Sequence, residues 1–538
     1  MSENNVSLNN HSMPVTRNLY EALQALRFIN YGRKVWVDAL CINQGDLQER
    51  ASQVNIMRQI YKGADKVIVW LGPRTGNADL ALDLLQKLSG IRKEKAKFGP
   101  YGVILREDLS KAGLPDFLRP DWAAVNSLLG RSWFSRVWVI QEVAVSNNSW
   151  IHCGDREMAW DVMANACRAI HEAQLVVVLG EGYKHVIRLQ AFREVIAAGR
   201  ELPLATLLMS NQACLATDPR DKIFAMLGMA SDIIQVGKDS GIPVSANYTK
   251  PAAEVFAEFA RAYINYYGFL DVLSSKVFEE VTEGLPSWVS DWSKDPHCTP
   301  LMLRENPSGY CASKGFRAEC TYSDNGRRLQ ISGIIFDEVA QVGRVLFEPG
   351  PDDNIDDVNI FCEWATLAEE VKSYPDGTSV DIAFILTLIA NSDNLASKAS
   401  DDYLSASLSW YRWLFRAKGK NIPEYLSEVQ LDQNEENARA TFFHTAVMRV
   451  CYGRRYFLTA AGYMGIGPPC VKPSDVVCIA KGASVPLILR ETRKFVGGSD
   501  SQPLHVFKER RFVGESYIHG LMDGEGYDES QLDHISVS

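Results

Sequence analysis

Asp38, Asn43 and Gln44 stand where the apolar run Val35-Trp36-Val37-Asp38-Ala39-Leu40-Cys41-Ile42 gives way to polar residues. A carboxylate and two carboxamides at such a point can hydrogen-bond the hydroxyls or the amide of a ligand. They also suit a tight chain exit, with Asp38 accepting backbone N–H groups and Asn43 and Gln44 making the turn. A second polar set, Arg131, Trp133, Arg136, Trp138 and Glu142, lies in one short stretch. Guanidinium forks match phosphates, and indole rings stack on bases. Equally, the arginines can pair with Glu142 or Asp38, and the tryptophans can pack a helix onto a sheet.

The elements that would position these groups follow from periodicity. Residues 35–41 read as a buried strand. Asp46-x-x-Glu49 opens a helix with Leu47, Ala51, Val54, Met57 and Tyr61 on one stripe, and Gly63 closes it. A second apolar strand follows at 67–71. Strand–helix–strand is the unit of a parallel sheet, whose ligands gather at the carboxyl ends of its strands. An insertion covers 73–125. Helices are expected over 157–180, 185–210 and 251–275. Asp218-Pro219-Arg220-Asp221 reads as a helix cap with a salt bridge. Two or three strands surround the turn 323–326, a helical block spans 355–450, and a small antiparallel β unit fills 454–525.

Composition narrows the function classes. The 538 residues carry 46% hydrophobic and 23% charged side chains, ordinary globular values, with a net charge of -10. An acidic balance offers no electrostatic footprint for nucleic acid. The 11 cysteines are scattered without a C-x-x-C pair, so neither a disulfide framework nor a zinc ribbon is expected. Cys41 reads as a buried thiol, because no histidine near it in sequence completes a Cys–His pair. Gly462, Gly465 and Gly467 lie between strands, the wrong context for a dinucleotide fingerprint. Glu515, His519, Asp523 and Glu525 read as turn and packing residues, and no metal site is expected. The polar first residues hold no signal peptide, and no apolar run is long enough to span a membrane. A cytoplasmic location follows.

The stretches Val15–Arg27, Val35–Pro73, Arg131–Ser146 and Asp218–Ala230, with Arg454–Arg490 and Arg511–Glu525 in the tail, resemble the fungal heterokaryon-incompatibility (HET) domain family. The resemblance implies a protein of non-self recognition, whose activation arrests growth or kills the fused cell. HET domains are similar in turn to the Toll/interleukin-1 receptor (TIR) fold, a flavodoxin-like parallel sheet. Some TIR domains cleave NAD with a glutamate in the motif W-C-x-x-E, and Trp138-Val139-Ile140-Gln141-Glu142 has that spacing without the cysteine. On this reading Glu142 is the catalytic carboxylate, facing the oxocarbenium-like ribose as nicotinamide leaves. Asp38, Asn43, Gln44, Arg136 and Trp138 would bind the substrate. NAD is then a substrate, and no cofactor is required.

HET domains usually open with a strand of the type Y-x-A-L-S-Y-x-W-G. Only a polar stretch, expected to be disordered, stands at 1–14, so the sheet is expected to lack its first, central strand. The expected architecture is α/β: an incomplete flavodoxin/TIR-like parallel sheet at the N-terminus, a helical middle and a β-rich C-terminal unit. The HET domain would cover 15–156, a helical extension 157–300, a mixed region 301–453 and the β-rich unit with a flexible tail 454–538. Two alternatives to NAD cleavage stand beside it. One is a non-enzymatic module that self-associates or docks another incompatibility protein. The other is a family member recruited to small-molecule metabolism.

Overall fold

A computed structural model describes residues 4–28, 30, 32–91, 109–173, 175, 180, 182–234, 240–276, 282–296, 298–301, 309–346, 357–393, 397–417, 433–496 and 505–538. The chain is mixed α/β and divides into two compact units. The first holds Met1–Leu202, Cys214–Ser231 and Ser245–Thr249; the second holds Pro203–Ala213, Asp232–Val244 and Lys250–Ser538.

The first unit opens on an antiparallel hairpin of β1 (Asn4–Leu8) and β2 (His11–Val15), where disorder was expected. The reason lies in the turn. Asn9 and Asn10 take φ of 50° and 66°, the left-handed pair that a two-residue hairpin loop requires and that asparagine tolerates. Helix α1 (Arg17–Ala25) follows, its Thr16 side chain accepting the Leu19 N–H.

The expected strand 35–41 is absent. Residues 32–37 join no ladder, Val35 is 43% exposed, and Asp38–Cys41 is one helical turn, α2. The Asp38 carboxylate accepts the Ala39 N–H at 2.8 Å, a local bond that competes with sheet pairing. Cys41, expected to be buried, is exposed as a result. Helix α3 (Leu47–Gly63) begins on Asp46, which accepts the Gln48 and Glu49 N–H groups. Glu49 reaches back to the Asn43 N–H at 2.9 Å.

The remaining elements are β3 (Val67–Trp70), α4 (Gly76–Ile91), α5 (Pro120–Leu129), α6 (Trp138–Ala144), β4 (Ser149–Cys153), β5 (Arg156–Ala159), α7 (Trp160–Glu172) and α8 (Gly182–Ala197). The chain passes through α9 (Leu204–Ser210), assigned to the second unit, and returns with α10 (Asp221–Leu227). The sheet has three strands in the order β3-β4-β5; β3 and β4 are parallel, β4 and β5 antiparallel. This unit does not form the expected flavodoxin-like parallel sheet among its described residues. Among the described residues, no strand pairs with the outer edge of β3. Helix α4 packs on α5 and α7, and α8 packs on α6 and α7. Their apolar faces bury Leu85, Leu88, Met163, Cys167 and Val186 completely.

In the second unit, β6 (Cys320–Ser323) and β7 (Arg328–Val345) form the expected hairpin. Asp324 and Asn325 supply its left-handed turn at φ of 54° and 53°. Helices α11 (Ala252–Tyr267), α12 (Asp357–Glu369), α13 (Val380–Leu388), α14 (Asp401–Ala417) and α15 (Gln433–Cys451) account for the helical content expected there. The last strands are β8 (Arg455–Thr459), β9 (Met464–Gly467), β10 (Val476–Ala480), β11 (Leu487–Val496), β12 (His505–Glu515), β13 (Tyr517–Ile518) and β14 (Asp533–Val537).

Pairings β7–β10, β10–β11, β11–β12, β12–β14 and β14–β7 close a circuit, so the sheet is a barrel. Strand β7 serves it twice, because its far half also carries β8. Two expectations change. The β unit draws its central strand from the region 301–453, and residues 533–537 are a barrel strand rather than a flexible tail. Neither pairing is encoded in local periodicity, since both partners lie far apart in sequence. Val339, Phe457, Val477, Ile488 and Ile518 fill one core cluster.

Gly465 on β9 has no room for a side chain, because a Cβ there would lie 2.3 Å from the buried Phe457 ring. Gly465→Ala is expected to destabilise the second unit by about 1–3 kcal/mol through overpacking, read as a lower urea midpoint at unchanged slope. Among the described residues, no helix is long and apolar enough to cross a membrane.

Candidate functional site

Helices, not strand ends, carry the candidate site. Asp38 opens α2, Tyr61 lies in the last turn of α3, Arg136 precedes α6, and Glu142 sits within α6. The approach to α6 is clamped. The Val137 N–H donates to Leu215 O at 2.9 Å, and the Leu215 N–H donates to Ser135 O at 2.6 Å. Helix α6 then packs against α3, α8 and α10.

Burial pushes the Glu142 carboxyl up to about 7; Asp38 adds to the rise, and Arg136 opposes it. Burial also raises the Tyr61 hydroxyl well above its ordinary range. The Glu142 and Asp38 charges add to that rise, and Arg136 again opposes it. These four side chains therefore share one electrostatic field. No hydrogen bond or ion pair among the described residues ends on the Glu142 carboxylate, whereas Trp36 packs edge-on against Tyr61 at 5.6 Å. A half-buried acid with a pKa near neutrality is suited to moving a proton or to facing a developing cation.

The other residues singled out from the sequence fall differently. Asn43 and Gln44 are spent on the turn. Asn43 Oδ1 accepts the Gly45 N–H at 3.2 Å, and Gln44 Nε2 donates to Asp38 O at 3.3 Å. Arg131 braces the ends of β3 and β4, donating to Leu71 O at 2.5 Å and to Cys153 Sγ at 3.3 Å. Trp133 packs on Phe134 and Trp160. Trp138 donates its indole N–H to Asp221 Oδ2 at 3.2 Å. In the tail, Glu515 is taken up by Arg454 at 2.6 Å, with both side chains buried.

Asp221 was legible only as part of a helix cap. Asp221 is 5% exposed, and its carboxylate ties α10 to α3, α6 and residue Tyr248 of the first unit. Besides Trp138 it accepts from Arg50 Nη2 on α3, at 3.3 and 3.1 Å, and from the Tyr248 hydroxyl at 2.6 Å. The Arg50 guanidinium lies 3.7 Å from the Tyr248 ring centroid, and Arg50 also meets Asp218 at 3.4 Å. Burial outweighs these donors and leaves the Asp221 carboxyl above its ordinary value. The cluster fixes α3 and the first turn of α6, and with them Tyr61 and Glu142. Tyr61 was visible as the one polar tip on an otherwise apolar stripe. Nothing local pointed to Arg50 or Tyr248.

Comparison with known proteins bears on this arrangement. Residues 1–142 match the family model described as heterokaryon incompatibility protein (HET), and residues 411–534 match the Het-6 beta-barrel domain. Heterokaryon incompatibility protein 6, OR allele, of Neurospora crassa is 23% identical, over 95% of this chain and 85% of that protein. The chain thus carries a HET domain in its first 142 residues and a Het-6-type barrel domain toward its end. No solved structure matches it. The HET match contains Asp38, Tyr61, Arg136 and Glu142, and also Arg50 and Trp138 of the bracing cluster, whereas Asp218, Asp221 and Tyr248 lie beyond it. The barrel match takes in β8 to β13 and only the first two residues of β14, and β7, which closes the barrel, precedes it.

Proposed function

We propose that this HET-domain chain acts in fungal non-self recognition leading to cell death, and that its Glu142 cluster cleaves NAD. The observation that carries the chemical part is the Glu142 carboxylate itself. It is raised to about 7 and free of any hydrogen-bond partner among the described residues, with Arg136 and Asp38 close enough to act on it.

In the proposed reaction the bond between ribose C1′ and the nicotinamide nitrogen breaks. The nitrogen keeps the electron pair, and neutral nicotinamide leaves. Ionised Glu142 faces the positive charge left on the ribose. Water adds to C1′ and yields its proton to Glu142, whose raised pKa suits it to accept one. Asp38 is suited to the ribose hydroxyls, and Arg136, exposed beside Glu142, to the pyrophosphate. Trp138 supports α6 through Asp221. Purified protein incubated with NAD is expected to release nicotinamide, and Glu142→Gln is expected to bring release down to background with the fold intact. Release unchanged in that variant would remove the proposal.

A second reading rests on a separate observation. Leu8, Phe28, Val35, Leu47 and Ile56, all in the first unit, are each 37–43% exposed. These five fall within residues 8–56, and exposed apolar side chains that gather mark interaction surfaces, so self-association or docking of another incompatibility protein is the alternative. Under it, cell killing survives Glu142→Gln and is lost in Val35→Asp with Ile56→Lys.

A further inference from the structure

The second unit contains a cavity of about 400 Å³ lined by cations that the Glu142 site does not use. Lys276, Arg327, Arg328 and Arg511 face it, with Asp324 and Glu509 as its acids and Leu285 and Pro286 as an apolar wall. The barrel builds this place. Glu509 and Arg511 are two apart on β12 and so point to one side of the strand. The first residue of β7 brings Arg328, and the β6–β7 turn brings Asp324 and Arg327. Residues 285–287 are held against the residue that follows β14, since the Ser287 N–H donates to Ser538 O at 3.0 Å, and Lys276 Nζ donates to Ser287 O.

The lining holds four cationic and two acidic side chains. Arg328 Nη2 takes up Glu509 at 2.9 Å, and Arg328 Nε is buried with no acceptor. Arg327 is exposed at the mouth, and no hydrogen bond or ion pair among the described residues engages its guanidinium. Asp324 is the remaining acid. The volume falls in the range of small-molecule sites, about 300–1,000 Å³, and clustered guanidinium groups match the paired oxygens of phosphates.

We propose that this cavity binds a phosphate-bearing small molecule, held by Arg327, Arg328 and Arg511 with Lys276 at its floor. The electrostatics around Lys276 favour an anion here. Burial and then the Arg511 charge push its ammonium down to about 8, against the opposing pull of Cys470 and Asp291. A phosphate placed among these groups removes the penalty.

Calorimetric titration of the full chain with inorganic pyrophosphate, and separately with ADP, tests the proposal. Saturable binding is expected, weaker by at least about five-fold in Arg511→Gln and in Arg327→Gln. Arg327 is exposed at a turn, so R327Q leaves the packing intact and decides the matter if R511Q fails to fold. Tighter binding of ADP than of pyrophosphate assigns the site to nucleotides, and equal binding assigns it to the phosphate groups alone. Absence of saturable binding, or R327Q binding as tightly as the parent, overturns the proposal. Pyrophosphate binding that persists in Arg136→Gln separates this site from the Glu142 cluster.

Discussion

Asp221→Ala is expected to destabilise the first unit by about 3–5 kcal/mol, the usual cost of breaking a buried ion pair from one side. The carboxylate receives three donor groups, Arg50 at 3.1 Å, the Tyr248 hydroxyl at 2.6 Å and the Trp138 indole at 3.2 Å. Removing it strands all three, and the Arg50 charge remains half-buried without its main partner. Urea unfolding followed by tryptophan fluorescence measures the loss. Tyr248→Phe removes one neutral donor and is expected to cost only about 1 kcal/mol. The two changes should be strongly non-additive, because they act on one network. A loss under about 1 kcal/mol for Asp221→Ala would show that this cluster does not hold α3 and α6. Because Asp221 positions the helices that carry Tyr61 and Glu142, the variant should also lose nicotinamide release before it loses its fold.

Glu142→Gln should do the opposite to stability, and only at higher pH. Burial raises the carboxyl from 4.5 to about 7. Between those values the folded chain binds a proton that the unfolded chain has released. Stability attributable to this group therefore falls as pH rises from about 4.5 to about 7 and stays low above that. The penalty at pH 8 is on the order of 3 kcal/mol. The neutral isostere avoids it, so Glu142→Gln should raise the melting temperature by several degrees at pH 8 and leave it unchanged near pH 4.5. Paired melts of parent and variant across this range check the sign. A gain equal at both ends would mean that packing, not charge, is responsible. Stability given up at one half-buried acid is what a site selected for chemistry leads one to expect.

The barrel bears on how the tail should be read. Strand β14 lies between β7 and β12, so truncations near the C-terminus open a closed sheet rather than trim a loose end. Likewise, the β1–β2 hairpin gives residues 4–15 a defined structure where a polar composition alone suggested none. Asn-Asn at a two-residue turn was the signal there, and it outweighs the lack of an apolar face.

Several features were legible in the sequence alone: the HET resemblance, the α3 helix with its Asp46 cap, strand β3, the β6–β7 turn and the helical block before the barrel. Each depends on side chains close together along the chain, whose capping, periodicity and turn chemistry are local. Asp38 and Arg136 were also named from residue type and position, and Glu142 from the resemblance to the W-C-x-x-E motif, and the three charges act on one another. Tertiary structure alone decided the rest. Val35–Cys41 is apolar enough for a strand, yet Asp38 bonds its own turn and leaves β3 without that neighbour. Glu142 titrates near neutrality because packing removes it from water, and Asp221 braces the site because folding brings Arg50, Trp138 and Tyr248 to it. Burial and pairing across long chain distances are properties of the packed molecule, and no window of sequence contains them.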